Sequence, residues 1–323
     1  MFSKFLYQST FAFFSLVLFN HAAATYPEKP IRLVVPFPAG GAADIMARGL
    51  ATKLGIELGQ SIVIDNKGGA GGTTASEIVA KAPSDGHTLL FGTMGTHAIN
   101  AALYPKLRYD PIKDFKPITL THITPRVLVT SPTLQFNTIA ELITHARNKP
   151  GALTYGSAGS GSSSHLSGVL FSTLAGIEML HVPYKGSAPL LTDVLTGRVD
   201  MTFDSYSVYE DHIRSGKVKA LGVTSRERMA VLPKVPSISE SGLKGYEVLN
   251  WLGLLAPAGT PDAIVNRINA ATLQAMKSPD LRQQLSGLGI EPTNSTPEQF
   301  SALIKTEIIK WAEIVKRSGA TAD

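Results

Sequence analysis

The chain has 323 residues, 44% of them apolar, with a net charge of +5 and no cysteine. That length exceeds what one hydrophobic core usually covers, so two domains are expected. The lack of cysteine excludes a disulfide framework, a thiolate metal site, a cysteine nucleophile and a lipid-modified N-terminal cysteine, and basic residues scattered without runs point to a mild attraction for anions, not to nucleic-acid binding.

The first 24 residues read as a secretory signal. Lys4 is their only Lys, Arg, Asp or Glu, Phe11 to Phe19 is mostly apolar, and Ala22-Ala23-Ala24 offers small side chains to a signal peptidase. The apolar stretch is too short to span a bilayer. A mature periplasmic protein starting near Thr25 is expected, cleaved near Ala24.

Next comes Ile31-Arg-Leu-Val-Val-Pro-Phe-Pro-Ala-Gly-Gly-Ala-Ala-Asp44, an apolar strand that stops at a turn and passes directly into a helix pattern. A helix starting there aims unpaired N–H groups and a positive dipole end beyond the strand, which suits a carboxylate. A second strand follows at Ser61–Asp65. The run Gly68-Gly-Ala-Gly-Gly72 then enters a helix, and reads as a turn that permits close helix–sheet packing in preference to ligand contact. Further strands are expected at Thr88–Gly92 and Arg126–Thr130, and Thr138-Ile-Ala-Glu141 is a capping box.

The opening theme returns at Leu153-Thr-Tyr-Gly-Ser-Ala-Gly-Ser-Gly-Ser-Ser-Ser-His165, again strand, small-residue turn and helix start. Two such loops in separate halves can close on one anion from both sides. Strands at Glu178–Val182, Val199–Phe203, Val218–Val223 and Trp251–Ala256 follow. Helix starts stand at Thr260-Pro261, Ser278-Pro279 and the capping box Thr296-Pro-Glu-Gln299. In the last helix Phe300, Leu303, Ile304, Ile308, Trp311 and Ile314 form a stripe that should pack on the body.

This alternation predicts an α/β fold of two lobes, each with a mainly parallel sheet and ligands beyond the carboxyl ends of the strands. With no independent linker, the chain is expected to cross between lobes twice, near Leu120–Val129 and Glu247–Leu254. The resulting division is a signal at 1–24, lobe 1 at 25–124 and 253–323, and lobe 2 at 125–252. Enzyme motifs fail: no Gly-x-Ser-x-Gly elbow, no Gly-x-Gly-x-x-Gly and no phosphate loop occur, and the eight histidines lack metal-ligand spacing. No metal and no cofactor are expected.

Taken together, Tyr26-Pro-Glu-Lys-Pro-Ile-Arg, Val35-Pro-Phe-Pro-Ala-Gly-Gly-Ala-Ala-Asp44, Gly71-Gly-Thr, Ala82-Pro-Ser-Asp-Gly-His-Thr-Leu-Leu90 and Gly95-Thr-His-Ala-Ile-Asn100 resemble the Bug family. So do Tyr155-Gly-Ser-Ala-Gly-Ser-Gly-Ser-Ser-Ser-His-Leu166, Val182-Pro-Tyr-Lys-Gly-Ser187, Ala256-Pro-Ala-Gly-Thr-Pro261 and Lys310-Trp311. These are periplasmic solute receptors of tripartite tricarboxylate transporters, and the match runs in order through essentially the whole mature chain. The resemblance implies a "Venus flytrap" of type II binding-protein topology, a monomer that closes on a small carboxylate and delivers it to a membrane permease.

By the same resemblance the first loop maps to Phe37, Pro38, Ala39, Gly40, Gly41 and Asp44, and the second to Gly156, Ser157, Ala158, Gly161 and Ser162. These would hold one ligand carboxylate, with Thr96, His97, Tyr184, Asp204 and Ser205 around the rest. Asp44 either complements the helix dipole or organises the loop. Two departures from the family pattern stand out: Pro38, which has no N–H to donate, and Val169, expected to face the core with Leu166 and Leu170.

Two other classes stay open. A periplasmic hydrolase would use Ser162, His165 and Asp204, although no spacing sets up a nucleophile–base–orienter arrangement. A sensory partner for a signalling receptor would share the binding step. As to the ligand, an amino acid would need Asp204 for its ammonium, an aromatic acid would use Tyr184, Tyr206 or Phe37 as a wall, and a di- or tricarboxylate would need more donors or a cation. A dicarboxylate or aromatic carboxylate is favoured.

Overall fold

The computed structural model describes residues 26–318, 321 and 322; the signal assigned to residues 1–24 lies outside them. The chain opens with β1 (Ile31–Val35), α1 (Ala42–Leu58), β2 (Ile62–Asn66), α2 (Thr73–Ala80) and β3 (Thr88–Thr93). β1 lies between β2 and β3, parallel to both, as helical crossovers dictate. A helical stretch, Gly95–Ile99 running into α3 (Asn100–Leu103), leads to β4 (Phe115–Thr130).

The second lobe follows with α4 (Ile139–Asn148), β5 (Thr154–Ser157), α5 (Ser163–Ala175), β6 (Leu180–Pro183), α6 (Ser187–Leu195), β7 (Met201–Ser205), α7 (Tyr206–Arg214) and β8 (Lys219–Val223). The chain returns through β9 (Leu249–Pro257) and ends in α8 (Asp262–Ala275), α9 (Pro279–Gly287), β10 (Glu291–Pro292) and α10 (Pro297–Ser318). The strand order is β2-β1-β3-β9-β4-β7-β5-β6, with β8 and β10 also on β4.

β4 serves both lobes. From Phe115 to Pro125 it pairs with β9, and from Arg126 to Thr130 with β7 and β8. The sheets are therefore mixed, which corrects the expectation of mainly parallel ones. Parallel pairing holds only where a helix intervenes, in β2-β1-β3 and β6-β5-β7. The two crossover strands run in opposite directions and pair antiparallel with each other and with a neighbour in each lobe.

The helix starts follow local chemistry. Thr138 accepts from the Glu141 N–H at 3.1 Å, and Thr296 and Gln299 bond reciprocally at 3.0 and 3.2 Å. α8 begins one residue later than expected, with Pro261 and not Thr260 at the cap. In α10, Phe300, Ile304 and Trp311 are buried, and Leu303, Ile308 and Ile314 pack beside them. Val169 and Leu166 are buried, as their spacing anticipates. Among the described residues no helix is long and apolar enough to cross a membrane.

Candidate functional site

The first wall is the β1–α1 turn. Gly41 caps α1 without a side chain, so the first-turn N–H groups from Ala42 to Asp44 have no acceptor in the helix. The turn is held from behind. Asp44 accepts from the Gly40 N–H at 2.9 Å, from Arg48 Nε at 2.9 Å and from Asn66 Nδ2 at 3.0 Å, while Asn66 Nδ2 also donates to the Phe37 carbonyl at 2.9 Å. Burial alone would raise the Asp44 carboxyl, but these donors hold it below the usual range. Asp44 thus organises the loop, and its carboxylate is used up doing so.

The second wall is the β5–α5 turn, where the structure alters the expected picture. Its N–H groups are largely taken: Ala158 donates to Ser164 Oγ at 2.9 Å, Gly159 to Ser157 Oγ at 3.2 Å, Gly161 to His165 Nδ1 at 3.2 Å and Ser162 to the Gly159 carbonyl at 3.0 Å. The loop's own N–H groups are thus mostly occupied, whereas those of Ser163 and Ser164, in the first turn of α5 beyond the Ser162 cap, have no acceptor in the helix. α6 supplies a third helix start: Gly186 caps it without a side chain, and Ser187 and Ala188 face the same cleft.

These starts converge on one cleft of about 560 Å³, its open mouth included. Phe37, Pro38, Gly41, Ala42, Ala43, Met46, Thr93, Asn250 and Leu252 line one side, and Arg126, Ala158, Ser162, Ser163, Gly186, Ser187, Ala188 and Asp204 the other. Arg126, which sequence reasoning missed, is one of the lining residues. Its Nη1 donates to Asp204 Oδ1 at 3.3 Å and to Ser205 Oγ, and its Nη2 donates to Ser163 Oγ. Burial pulls the guanidinium down and pushes the Asp204 carboxyl up, each opposed by the other's charge. The one sequence signal was a basic residue at the head of an otherwise apolar strand.

Several expected ligand residues stand elsewhere. Thr96 and His97 are fully buried away from the cleft: His97 Nδ1 meets Thr96 Oγ1 at 2.9 Å, the ring packs edge-on against Phe115 at 4.5 Å, and burial drives the imidazole down to about 3. Gly156 leaves room for Leu190, whose Cδ1 would lie 2.1 Å from an added Cβ. Ser157 is buried against His181 Nε2 at 2.7 Å. Ala39 and Gly40 are exposed and do not line the cleft. Tyr184 donates to Asp193 at 2.7 Å and lines an adjoining crevice with Phe37 and Ala158. Tyr206 is buried outside the cleft, so only Phe37 among the suggested aromatic walls faces it.

Gly161 and Gly71 mark where the lobes touch. A Cβ on Gly161 would lie 2.2 Å from Asn100 Oδ1, and one on Gly71 would lie 2.1 Å from the Ser160 carbonyl. Within the glycine run at 68–72, Gly71 thus serves close approach between lobes, while Gly72 permits close packing within its own lobe, where an added Cβ would lie 2.7 Å from Thr96 and 3.0 Å from Pro36. Nor do Ser162, His165 and Asp204 form a triad. Ser162 Oγ bonds Ser164 Oγ at 2.9 Å, and the His165 ring accepts from Gly161 and stacks on His181 at 3.9 Å.

Lobes joined by paired crossover strands around such a cleft define a two-lobed binding protein. The model of the tripartite tricarboxylate transporter family receptor matches residues 46–320, and the chain belongs to this family. It is 35% identical over 300 residues to Protein BugT of Bordetella pertussis, covering 93% of this chain and 92% of BugT. R. palustris Rpa4515 with adipate has a TM-score of 0.88 at 38% identity, over 92% of this chain and 100% of that one. MatC (Rpa3494) from Rhodopseudomonas palustris with bound malate has a TM-score of 0.86 at 37% identity, over 90% and 100%.

Proposed function

We propose that this member of the receptor family works in the periplasm, binds a small carboxylate between its lobes and hands it to the permease of a tripartite tricarboxylate-type transporter. The observation that carries this is the convergence of the α1, α5 and α6 starts, with Arg126, on one cleft. Unpaired first-turn N–H groups and three positive dipole ends favour an anion without regard to the rest of the ligand. Rpa4515 with adipate and MatC with malate, both similar along nearly the whole chain, support the carboxylate class.

In the division into 25–124 plus 253–323 and 125–252, the boundary at 124/125 is supported by the exchange of β4 partners between Pro125 and Arg126, whereas β9 joins the sheet of lobe 1 already from Leu249 and draws the second boundary back to that residue. Within the cleft the binding set comprises Phe37, Gly41, Ala158, Ser162 and Asp204, with Arg126, Ser163 and Ser187 added; Asp44 and Ser205 support it from behind. The protein acts as a monomer without catalysis.

A thermal-shift screen of mono-, di- and tricarboxylates tests this, with recovered acid checked for turnover and the mature mass checked for cleavage near Ala24. A ligand at about 100 times its Kd should stabilise by roughly 2.7 kcal/mol. A panel that leaves the melting temperature unmoved refutes the reading.

A further inference from the structure

Arg126 and Asp204 are the only charged side chains among the described residues that line the cleft. Their side chains are 10% and 1% exposed, and each keeps one atom without a hydrogen-bond partner, Nε on the arginine and Oδ2 on the aspartate. Buried polar atoms are nearly always satisfied, and a leftover donor and a leftover acceptor within one ion pair are complementary to a ligand that both accepts and donates.

We propose that the cleft selects carboxylates bearing a hydroxyl or amino group on the adjacent carbon: the carboxylate accepts from Arg126 and the first turn of α5, and the hydroxyl or ammonium donates to Asp204 Oδ2. This rests on the carboxylate-receptor reading above. The placement follows from one guanidinium bonding both Ser163, in the first turn of α5, and Asp204. Anion site and acceptor therefore lie within reach of a single small head group. An unsubstituted carboxylate would satisfy the arginine but leave Oδ2 buried, unpaired and facing another anion, which is unfavourable. Opposite the pair, Ala42, Ala43, Met46 and Leu252 offer aliphatic surface to the remainder of the ligand.

Calorimetric titration with two matched series tests the assignment: succinate, malate and aspartate, and propionate, lactate and alanine. Within each series only the substituent changes, from hydrogen to hydroxyl to ammonium. At least one substituted class should bind about ten-fold or more tightly than its unsubstituted parent, and the stronger arm tells hydroxyl from ammonium. Asp204→Asn should bring that ratio to within about two-fold. Equal binding of succinate, malate and aspartate, or an unchanged ratio in Asp204→Asn, overturns this assignment while the receptor reading stands. Silence of all six acids, together with a silent wider carboxylate panel, overturns both. Should Asp204→Asn not fold, the ratios of the unaltered protein decide.

Discussion

Replacing Gly71 with alanine asks whether the contact between lobes is part of ligand binding. An added Cβ would stand 2.1 Å from the Ser160 carbonyl oxygen and 3.0 Å from Tyr104 Oη, in a place where Tyr104 Oη donates to that carbonyl at 3.0 Å and Asn100 Nδ2 donates to the Gly71 carbonyl at 3.2 Å. The closest clash is with backbone, so no rotamer relieves it, and ordinary van der Waals contact requires a retreat of more than ~1 Å. Gly71 also has φ +61°, which adds roughly 1–2 kcal/mol of strain for alanine. Since Gly71 and Ser160 sit in different lobes, parting the lobes is the least costly retreat. If the closed state falls to about a tenth of its population, the apparent Kd rises about ten-fold.

Calorimetry with whichever carboxylate the screen identifies should show that loss, while the melting temperature falls by about 2–8 °C. Gly151→Ala is the control, because φ is +71° there with nothing within 4 Å of the added Cβ. It should lose similar stability and keep the parental affinity. Gly71→Ala binding within about two-fold of the parent would refute the reasoning, as would an equal loss in Gly151→Ala.

Burial holds the imidazoles of His97, His122 and His165 down to about 3, helped at His165 by His181. Below the ordinary value near 6.5 the unfolded chain then binds more protons than the folded one, so their stability is fully present above about pH 6.5. It is lost toward pH 3, at about 1.4 kcal/mol per pH unit for each histidine. Urea midpoints at about pH 7.5, 6 and 5 should fall in steps, and a flat series contradicts the burial. Trp311 is fully buried, with Nε1 donating to Glu307 at 2.9 Å. Trp311→Ala should therefore lose about 3–5 kcal/mol by urea unfolding with ligand preference unaltered, and a loss below about 1 kcal/mol would show that α10 is not anchored there.

What the sequence made legible was local. Ile31–Val35 stops at Pro36 and the helix pattern begins within a few residues, so strand, turn and helix start can all be read from neighbours. β4 was seen only from Arg126 onward because its first part, with Thr119, Thr121, His122 and Thr124, lacks an apolar run. Those side chains are buried all the same, and Thr119 and Thr121 bond the Ser295 and Leu252 carbonyls at 2.9 and 3.0 Å, far along the chain. In the second loop the competition is local. Ser157, Ser164 and His165 are so close in sequence to Gly159, Ala158 and Gly161 that they consume the very N–H groups assigned to the ligand.

Arg126 was missed for a further reason. An arginine at the head of a strand ordinarily reads as a solvated end, and the residues that let it stay buried, Ser163, Asp204 and Ser205, lie 37, 78 and 79 positions away. Helix starts are encoded in adjoining residues, whereas a buried charge is encoded in its partners, and only the fold brings those together. The helix starts that face the cleft could therefore be inferred from short segments. The Arg126–Asp204 pair arises where β4 passes between lobes and sets Arg126 against the end of β7 and the start of α5, an arrangement that no stretch of sequence contains by itself.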